Sequence, residues 1–180
     1  MKIIETGIEG LLILQPNVFE DNRGYFFESY NQSLFENAKL DYKFVQDNQS
    51  LSQKGILRGL HFQNPPYEQG KLVRVIQGAV QDIAVDIREN SPTYGKWNST
   101  VLSASNKLMY LIPPGFAHGF LSLENNTIFF YKCTNFYNKE SEGSIRWNDP
   151  NINIKWEITP PSLSAKDEDA PLFKDFVSQF

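Results

Sequence analysis

Apolar residues occur along this chain in short runs, and turn-forming residues separate the runs. Runs of this length that are bounded by Gly, Pro, Asn or Asp are typical of β-strands. The strand candidates are Leu11–Leu14, Tyr25–Ser29, Phe44–Gln46, Leu57–Phe62, Leu72–Gln77, Val80–Ile87, Val101–Leu102, Met109–Ile112 and Ile128–Cys133. Many short strands with regular turns predict an all-β sandwich, jelly roll or barrel, and periodicity alone does not separate these three.

Helical signals are few. Residues Asn31–Ala38 predict a short helix with Asn31 or Ser33 as its N-cap, and Lys166–Val177 is a weaker second candidate. Polar and apolar residues alternate only in part along Val80–Ile87, which favours a strand in the interior of a sandwich. No internal repeat, low-complexity tract or linker interrupts the chain, so we expect one domain over residues 1–180.

The composition is that of an ordinary globular protein, with 41% hydrophobic and 21% charged residues, and it argues against disorder. The formal net charge of −4 argues against a nucleic-acid-binding surface, because such a surface needs a basic footprint. Basic residues are instead grouped locally, at Arg23, Arg58, Lys71 and Arg74. A cationic pocket on an acidic body fits a small anionic ligand.

The number of cysteines and the sequence of the N-terminus favour a cytoplasmic location. The single cysteine, Cys133, excludes an intramolecular disulfide and fits a reducing environment. Glu5, Gly7 and Glu9 interrupt the N-terminus where a signal peptide would have its apolar region. No apolar run approaches the roughly 20 residues that cross a bilayer. We therefore expect a soluble cytoplasmic protein that binds neither nucleic acid nor a membrane.

The segment Ile56–Pro66 carries the strongest chemical signal. It contains His61, one of only two histidines, three residues after Arg58, and Lys71 and Arg74 soon follow. A histidine titrates near neutral pH, and three cations beside it need either an anion or outward solvation. The group suits removal of a proton from an anionic small molecule. The structural alternative is an exposed basic edge strand, where cations discourage aggregation.

Strand geometry places a condition on that site. Arg58 and His61 have opposite parity, so in a regular strand they face opposite sides of the sheet. If both contact one ligand, the backbone must bulge or break between them, and Gly59 is the expected place. Lys71 shares parity with Val73, so its ammonium projects into the space that the valine lines.

His118, in the segment Pro113–Phe120, raises the question of a metal. A catalytic zinc or iron site needs about three protein ligands, commonly two histidines and a carboxylate. His61 is not part of a His-x-His pair, and no carboxylate lies at an obvious ligand spacing, so we expect no metal. Tyr131 and Tyr137 lie in an aromatic run that mostly predicts core packing, but a tyrosine hydroxyl that reaches a polar pocket can donate a proton.

Several longer motifs in a fixed order resemble those of the dTDP-4-dehydrorhamnose 3,5-epimerase family, which acts on a 4-keto-6-deoxy sugar nucleotide. The match runs over nearly the full length. The motifs are Phe19–Tyr30, Leu57–Gln63, Gln69–Val75, Asp86–Arg88, Ser91–Trp97, Pro114–Phe120, Trp147–Asp149 and Leu163–Asp167. The resemblance implies a cupin-type jelly roll, a homodimer, and catalysis with no metal and no cofactor.

The resemblance also implies roles for single residues. His61 is then the general base that removes protons next to the C4 ketone, and Asp167 orients it. Lys71 stabilises the enolate oxygen that develops at C4, Tyr131 returns a proton on the opposite face, and Tyr137 stacks on the thymine. The other implied substrate-binding positions are Arg23, Glu28, Gln46, Asp47, Asn48, Arg58, His118, Glu142 and Lys166. In the family, the residues at positions 23 and 28 come from the partner subunit, so dimerisation would complete the site.

The chain departs from common family residues at Cys133, Asn135 and Phe136, none of which has an implied chemical role. A C3-only epimerase of a related 4-keto-6-deoxy sugar nucleotide is the nearest alternative. Two others come from different classes: a metal-dependent cupin oxidoreductase, and a catalytically silent sugar-nucleotide-binding cupin. The matched pair of His61 and Tyr131 argues against the silent module, because binding alone needs neither.

Overall fold

The computed structural model describes residues 1–180 and confirms the all-β class. The strands are β1 (Lys2–Glu5), β2 (Leu12–Gln15), β3 (Phe19–Asp21), β4 (Gly24–Phe26), β5 (Gln46–Ser52), β6 (Leu57–Gln63), β7 (Lys71–Gln77), β8 (Ala79–Asp86), β9 (Trp97–Ser103), β10 (Met109–Ile112), β11 (Phe116–Ser122), β12 (Thr127–Cys133) and β13 (Glu142–Ser144). Helices are short: α1 (Gln32–Asn37), α2 (Ala165–Glu168), and 3₁₀ turns at Lys139–Ser141 and Phe173–Asp175. None of them is long and apolar enough to cross a membrane.

Two antiparallel sheets form a jelly roll of the cupin type, as predicted. The six-stranded sheet has the order β1-β2-β10-β7-β12-β5, and the five-stranded sheet has the order β13-β6-β11-β8-β9. Strands β3 and β4 form a separate hairpin outside both sheets. Neighbours in each sheet are mostly distant in sequence, which is how the fold brings remote side chains into one cavity.

The main core lies between the two sheets. Val73 and Phe129 contribute to it from the six-stranded sheet, and Val80, Ala84 and Phe120 contribute from the five-stranded sheet. Strand β8 is buried along its whole length on both faces, which confirms the prediction of an interior strand.

Two further apolar clusters cover the outer faces of the sheets. Phe35 of α1 packs with Leu14 and Leu72 on the six-stranded sheet. The chain after residue 145 crosses the outside of the five-stranded sheet, where Ile152 and Ile154 pack on it. The terminal segment is therefore anchored by apolar burial before it reaches the cavity described below.

Some predicted elements differ from the structure. The candidate Phe44–Gln46 is only the beginning of a strand that runs from Gln46 to Ser52, because polar residues that face the cavity hide its alternation. Strand β11 was not predicted; its residues are buried on both faces, so it shows no period of two. The N-cap of α1 is Asn31, whose side chain accepts from the Ser33 backbone N–H.

The predicted helix over Lys166–Val177 is wrong. Only Ala165–Glu168 and the turn Phe173–Asp175 are helical. Pro171 lacks a backbone N–H and disfavours helical geometry in the residue before it, so the helix ends early. The aromatic residues that follow pack on the five-stranded sheet instead of along a helix face.

Candidate active site

A bulge in β6 brings Arg58 and His61 to the same cavity. His61 pairs with His118 on β11, whereas Arg58 pairs with Phe120, so a step of three residues on β6 lies opposite a step of two. Gly59 has a φ of +130°, and a Cβ there would lie 2.8 Å from the His118 carbonyl oxygen. Only glycine fits this backbone and this spacing. The predicted break at Gly59 is confirmed.

The cavity lies between the sheets and has a volume of about 480 Å³. Its polar side is formed by residues of several strands and of α2: Ser50, Arg58, His61, Lys71, His118, Tyr131, Lys166 and Asp167. Apolar side chains, among them Leu57, Phe120 and Leu163, form the rest of the wall. An adjoining cavity of about 320 Å³ shares His61, Lys71 and Tyr131 with it. Together they form a continuous groove with the ionisable groups at its centre.

His61 and Asp167 form a close pair although 106 residues separate them. The distance from His61 Nε2 to Asp167 Oδ1 is 2.5 Å, and the other carboxylate oxygen accepts from Ser164 Oγ at 2.8 Å. Burial by itself would raise the pKa of Asp167, but the His61 and Ser164 contacts hold it below its usual value. Asp167 is therefore an anion that can orient the imidazole.

Lys71 projects into the cavity from the first position of β7, as the parity with Val73 predicts. Burial lowers the pKa of its ammonium, and the nearby Cys133, Asp82 and Glu142 oppose that shift. Lys71 takes part in none of the ion pairs of the chain. A desolvated cation without an ionic partner favours a developing negative charge on a bound molecule.

Tyr131 faces the cavity from β12, in the six-stranded sheet, whereas His61 faces it from β6, in the other sheet. Burial raises the pKa of the Tyr131 phenol, so the hydroxyl keeps its proton at neutral pH. The cavity thus has a candidate base on one wall and a candidate acid on the opposite wall.

Sequence reasoning assigned no role to Asp82, which forms a buried pair with His118. Asp82 Oδ1 lies 2.9 Å from His118 Nε2, and its Oδ2 has no hydrogen-bond partner. Burial lowers the pKa of His118 and raises that of Asp82, because neither charge is solvated there. The sequence did contain a signal for this pair, because Asp82 is a carboxylate in the middle of the apolar strand β8 and therefore needs a buried partner.

The groove continues from Lys71 toward Tyr137 and Glu142. The Tyr137 hydroxyl donates to Glu142 Oε2 at 3.2 Å, and Lys166 Nζ lies 2.5 Å from Glu142 Oε1. Gln46 and Asn48 line the same stretch from alternate positions of β5. These five predicted binding residues therefore lie in or beside the adjoining cavity.

Three predicted binding residues lie elsewhere in the single chain. Asp47 faces away from Asn48 on β5 and pairs with Lys132 at 2.9 Å. Arg23 pairs with Asp21 in the β3–β4 hairpin and is largely exposed, at 85% of its side chain. Glu28 lines a small cavity beside α1 and accepts from Asn31. Neither Arg23 nor Glu28 lines the cavity of His61 in the same chain.

No group of three or more His, Cys, Asp or Glu residues is arranged to hold a metal ion. The chemistry that the described residues offer is acid–base: a histidine paired with a carboxylate, a protonated tyrosine across from it, and a lysine in the same cavity.

Comparison with known proteins gives consistent matches. The family model described as dTDP-4-dehydrorhamnose 3,5-epimerase matches residues 5–175. A dTDP-4-dehydrorhamnose 3,5-epimerase of Escherichia coli K12 is 56% identical over 171 residues, which are 93% of this chain and 92% of that protein.

Solved structures match equally well. A dTDP-4-dehydrorhamnose 3,5-epimerase of Elizabethkingia anophelis is 51% identical with a TM-score of 0.92, and the match covers 97% of each chain. A dTDP-6-deoxy-D-glucose-3,5-epimerase of Legionella pneumophila, solved in complex with dTDP-4-keto-L-rhamnose, is 47% identical with a TM-score of 0.92. That match covers 96% of this chain and 93% of the Legionella chain.

Proposed function

The chain belongs to the dTDP-4-dehydrorhamnose 3,5-epimerase family, and from this premise we propose how its residues divide the reaction. It is an epimerase that inverts C3 and C5 of dTDP-4-dehydro-6-deoxy-D-glucose and gives dTDP-4-dehydro-L-rhamnose. The observation that carries the proposed roles is the placement of His61 and Tyr131 on opposite walls of one cavity.

His61 is the general base in this proposal. A hydrogen on a carbon next to the C4 ketone becomes acidic once the enolate is stabilised, and the neutral imidazole takes that proton. The electron pair of the broken C–H bond moves to the C4 oxygen. The Asp167 carboxylate, 2.5 Å from His61 Nε2, stabilises the imidazolium that results.

Lys71 stabilises the enolate oxygen at C4. Its ammonium has no ionic partner of its own, and burial lowers its pKa, so the negative charge that develops on the C4 oxygen favours the protonated form of Lys71. A fixed cation in a site from which water is largely excluded stabilises developing charge more strongly than water does.

Tyr131 completes each inversion. Its phenol donates a proton to the carbon from the wall opposite His61, the electron pair returns from the oxygen, and the C4 ketone forms again. Because removal and return of the proton take place on opposite faces, the centre is inverted. Exchange with solvent then restores the protonation of both groups, and no cofactor enters the sequence.

The remaining groove residues bind the nucleotide part of the substrate. Tyr137 is 57% exposed at the groove and held by Glu142, so its ring can stack on the thymine. Arg58, Lys166 and His118 line the cavity, and we assign cationic contacts with the diphosphate to the first two. Gln46 and Asn48 supply amide groups from β5 of the six-stranded sheet, and Asp47 supports the strand that carries them.

We propose that a homodimer completes the site with Arg23 and Glu28 of the partner. Three aromatic side chains of the hairpin are largely exposed in the single chain, namely Phe19, Tyr25 and Phe26. A separate two-stranded hairpin with this much exposed apolar surface favours a protein partner. The position of Arg23 outside its own chain's cavity supports its use in the cavity of a second copy.

The proposal treats residues 1–180 as one epimerase domain, because the terminal segment that supplies Asp167 packs on the sheet that supplies His61. We also propose a cytoplasmic location, which the single unpaired cysteine favours.

Proton NMR of dTDP-4-keto-6-deoxyglucose with the enzyme in D₂O tests the function directly. We expect loss of both the C3 and the C5 proton signals and formation of the L-sugar. Loss at C3 alone would reassign the protein to the C3-only epimerases, and loss at neither position would favour the silent binding module.

The His61→Ala variant tests the base. We expect it to abolish exchange at both carbons, while dTDP binding, measured by calorimetric titration, stays within about threefold of the wild type because the proposed nucleotide contacts come from other residues. Exchange at a near wild-type rate in this variant would show that another group is the base.

A further inference from the structure

Ser164 uses both hydrogen-bonding functions of its hydroxyl on one residue, Asp167. It is the N-cap of α2, where its Oγ accepts from the Asp167 backbone N–H at 3.2 Å. The same Oγ donates to Asp167 Oδ2 at 2.8 Å, while Oδ1 faces His61 at 2.5 Å. The carboxylate is therefore held from two sides, by the hydroxyl and by the imidazole.

The rest of the segment does not fix this carboxylate. Helix α2 has four residues and is too short to be stable by itself. The chain is held at Ser162, whose carbonyl accepts from Leu57 N–H at 2.9 Å and whose N–H donates to Gly55 O at 2.8 Å. No side chain other than those of His61 and Ser164 hydrogen-bonds to the Asp167 carboxylate. Rotation of the carboxylate is thus controlled by Ser164 at Oδ2, the oxygen that does not face His61.

We propose that Ser164 is a positioning residue for proton transfer: it holds the Asp167 carboxylate with one oxygen facing His61. Without the hydroxyl, the carboxylate can rotate. It also loses one of the two hydrogen bonds that stabilise its negative charge in this buried position. The direction of the pKa shift of Asp167 agrees, because Ser164 is among the groups that lower it. The inference rests on the proposed function, since the pair acts on a bound sugar nucleotide only if His61 is the base.

Substitutions at this single position separate helix capping from donation to the carboxylate. Ser164→Gly removes the donor but keeps most of the capping preference, since glycine at an N-cap is only slightly less favourable than serine. Ser164→Ala removes both functions, and Ser164→Thr keeps both. We expect the glycine and alanine variants to lower kcat by roughly 10- to 100-fold, the range for a hydrogen bond to a charged group, with KM changed less than about twofold. The threonine variant restores kcat.

A purely structural role predicts a different result. In that case Ser164→Gly keeps nearly wild-type kcat, and the alanine variant loses activity only in proportion to its loss of thermal stability. That pattern would overturn the proposal. Thermal unfolding of each variant, measured beside kcat, decides between the two.

A double-mutant cycle tests whether Ser164 acts through Asp167. In an Asp167→Asn background, Ser164→Gly is expected to lower kcat by less than about twofold, because the carboxylate that it positions is already absent. A full additional loss in that background would contradict the proposal. Failure of the wild type itself to exchange C3 and C5 protons would instead refute the proposed function, so the two failures are distinguishable.

Discussion

At the scale of single residues, the structure separates two histidines that look alike in sequence. His61 has 31% of its side chain exposed to the cavity and is paired with a carboxylate that burial does not neutralise. His118 is buried with Asp82, and burial disfavours the charge on both. The first environment suits a group that gains and loses a proton during turnover, and the second suits a fixed hydrogen-bond donor or acceptor.

Tyr131→Phe tests the acid at this scale. We expect deuterium exchange by His61 to continue, because enolate formation does not need the phenol, while formation of the inverted product falls by about 100-fold or more. NMR in D₂O measures both rates in one sample. Tyr94→Phe is the matched control, since its ring packs on Phe173 outside the cavity, and it should leave both rates unchanged. Normal inversion by Tyr131→Phe would remove Tyr131 from the acid role.

At the scale of elements, a single irregularity in β6 makes the site possible. A regular strand would place Arg58 and His61 on opposite faces, and the extra residue at Gly59 turns both toward the cavity. Strand β5 shows the opposite case: it is regular, so Gln46 and Asn48 face the groove and Asp47 between them faces Lys132. The arrangement in β5 follows from the period of two in a strand, and the arrangement in β6 follows from its interruption.

Gly59→Ala tests the bulge. Gly24 has nearly the same backbone angle, with φ of +127° against +130°, but has open space where a Cβ would be added. Gly59→Ala is therefore expected to lower the free energy of unfolding by about 2 kcal/mol more than Gly24→Ala, because only the former forces a Cβ against β11. Urea unfolding measures both. Equal losses would mean that the backbone angle alone, and not the close approach of β11, requires glycine.

At the scale of the whole molecule, the two sheets place His61 and Tyr131, the proposed base and acid, on opposite walls of one cavity. A hairpin outside both sheets carries Arg23, which does not line the cavity of its own chain. The proposed dimer accounts for that hairpin. An interface that exchanges the hairpins of two identical chains forms two equivalent sites by symmetry.

Mixed dimers test this exchange. Arg23→Ala and His61→Ala are each expected to be inactive as homodimers, because every site contains one defect. Coexpression then gives mixed dimers in which one site carries both defects and the other carries none, so activity should recover to about a quarter of the wild-type value for random pairing. The control pair, His61→Ala with Lys71→Ala, alters two residues of the same cavity and should not recover. Absence of recovery in the first pair would place Arg23 in the site of its own chain.

The sequence by itself determined the all-β class, most strand positions and the break at Gly59, because alternation and turn chemistry are local properties. It also placed Lys71 on the same face as Val73 by parity. Only the tertiary structure decided that Asp82 pairs with His118. It also decided that the terminal segment packs on the five-stranded sheet with two short helical turns in place of one long helix. The Asp82–His118 pair and the path of the terminal segment depend on packing between residues that are far apart in the chain. Local sequence patterns do not show which of these residues come within hydrogen-bond distance in the folded protein.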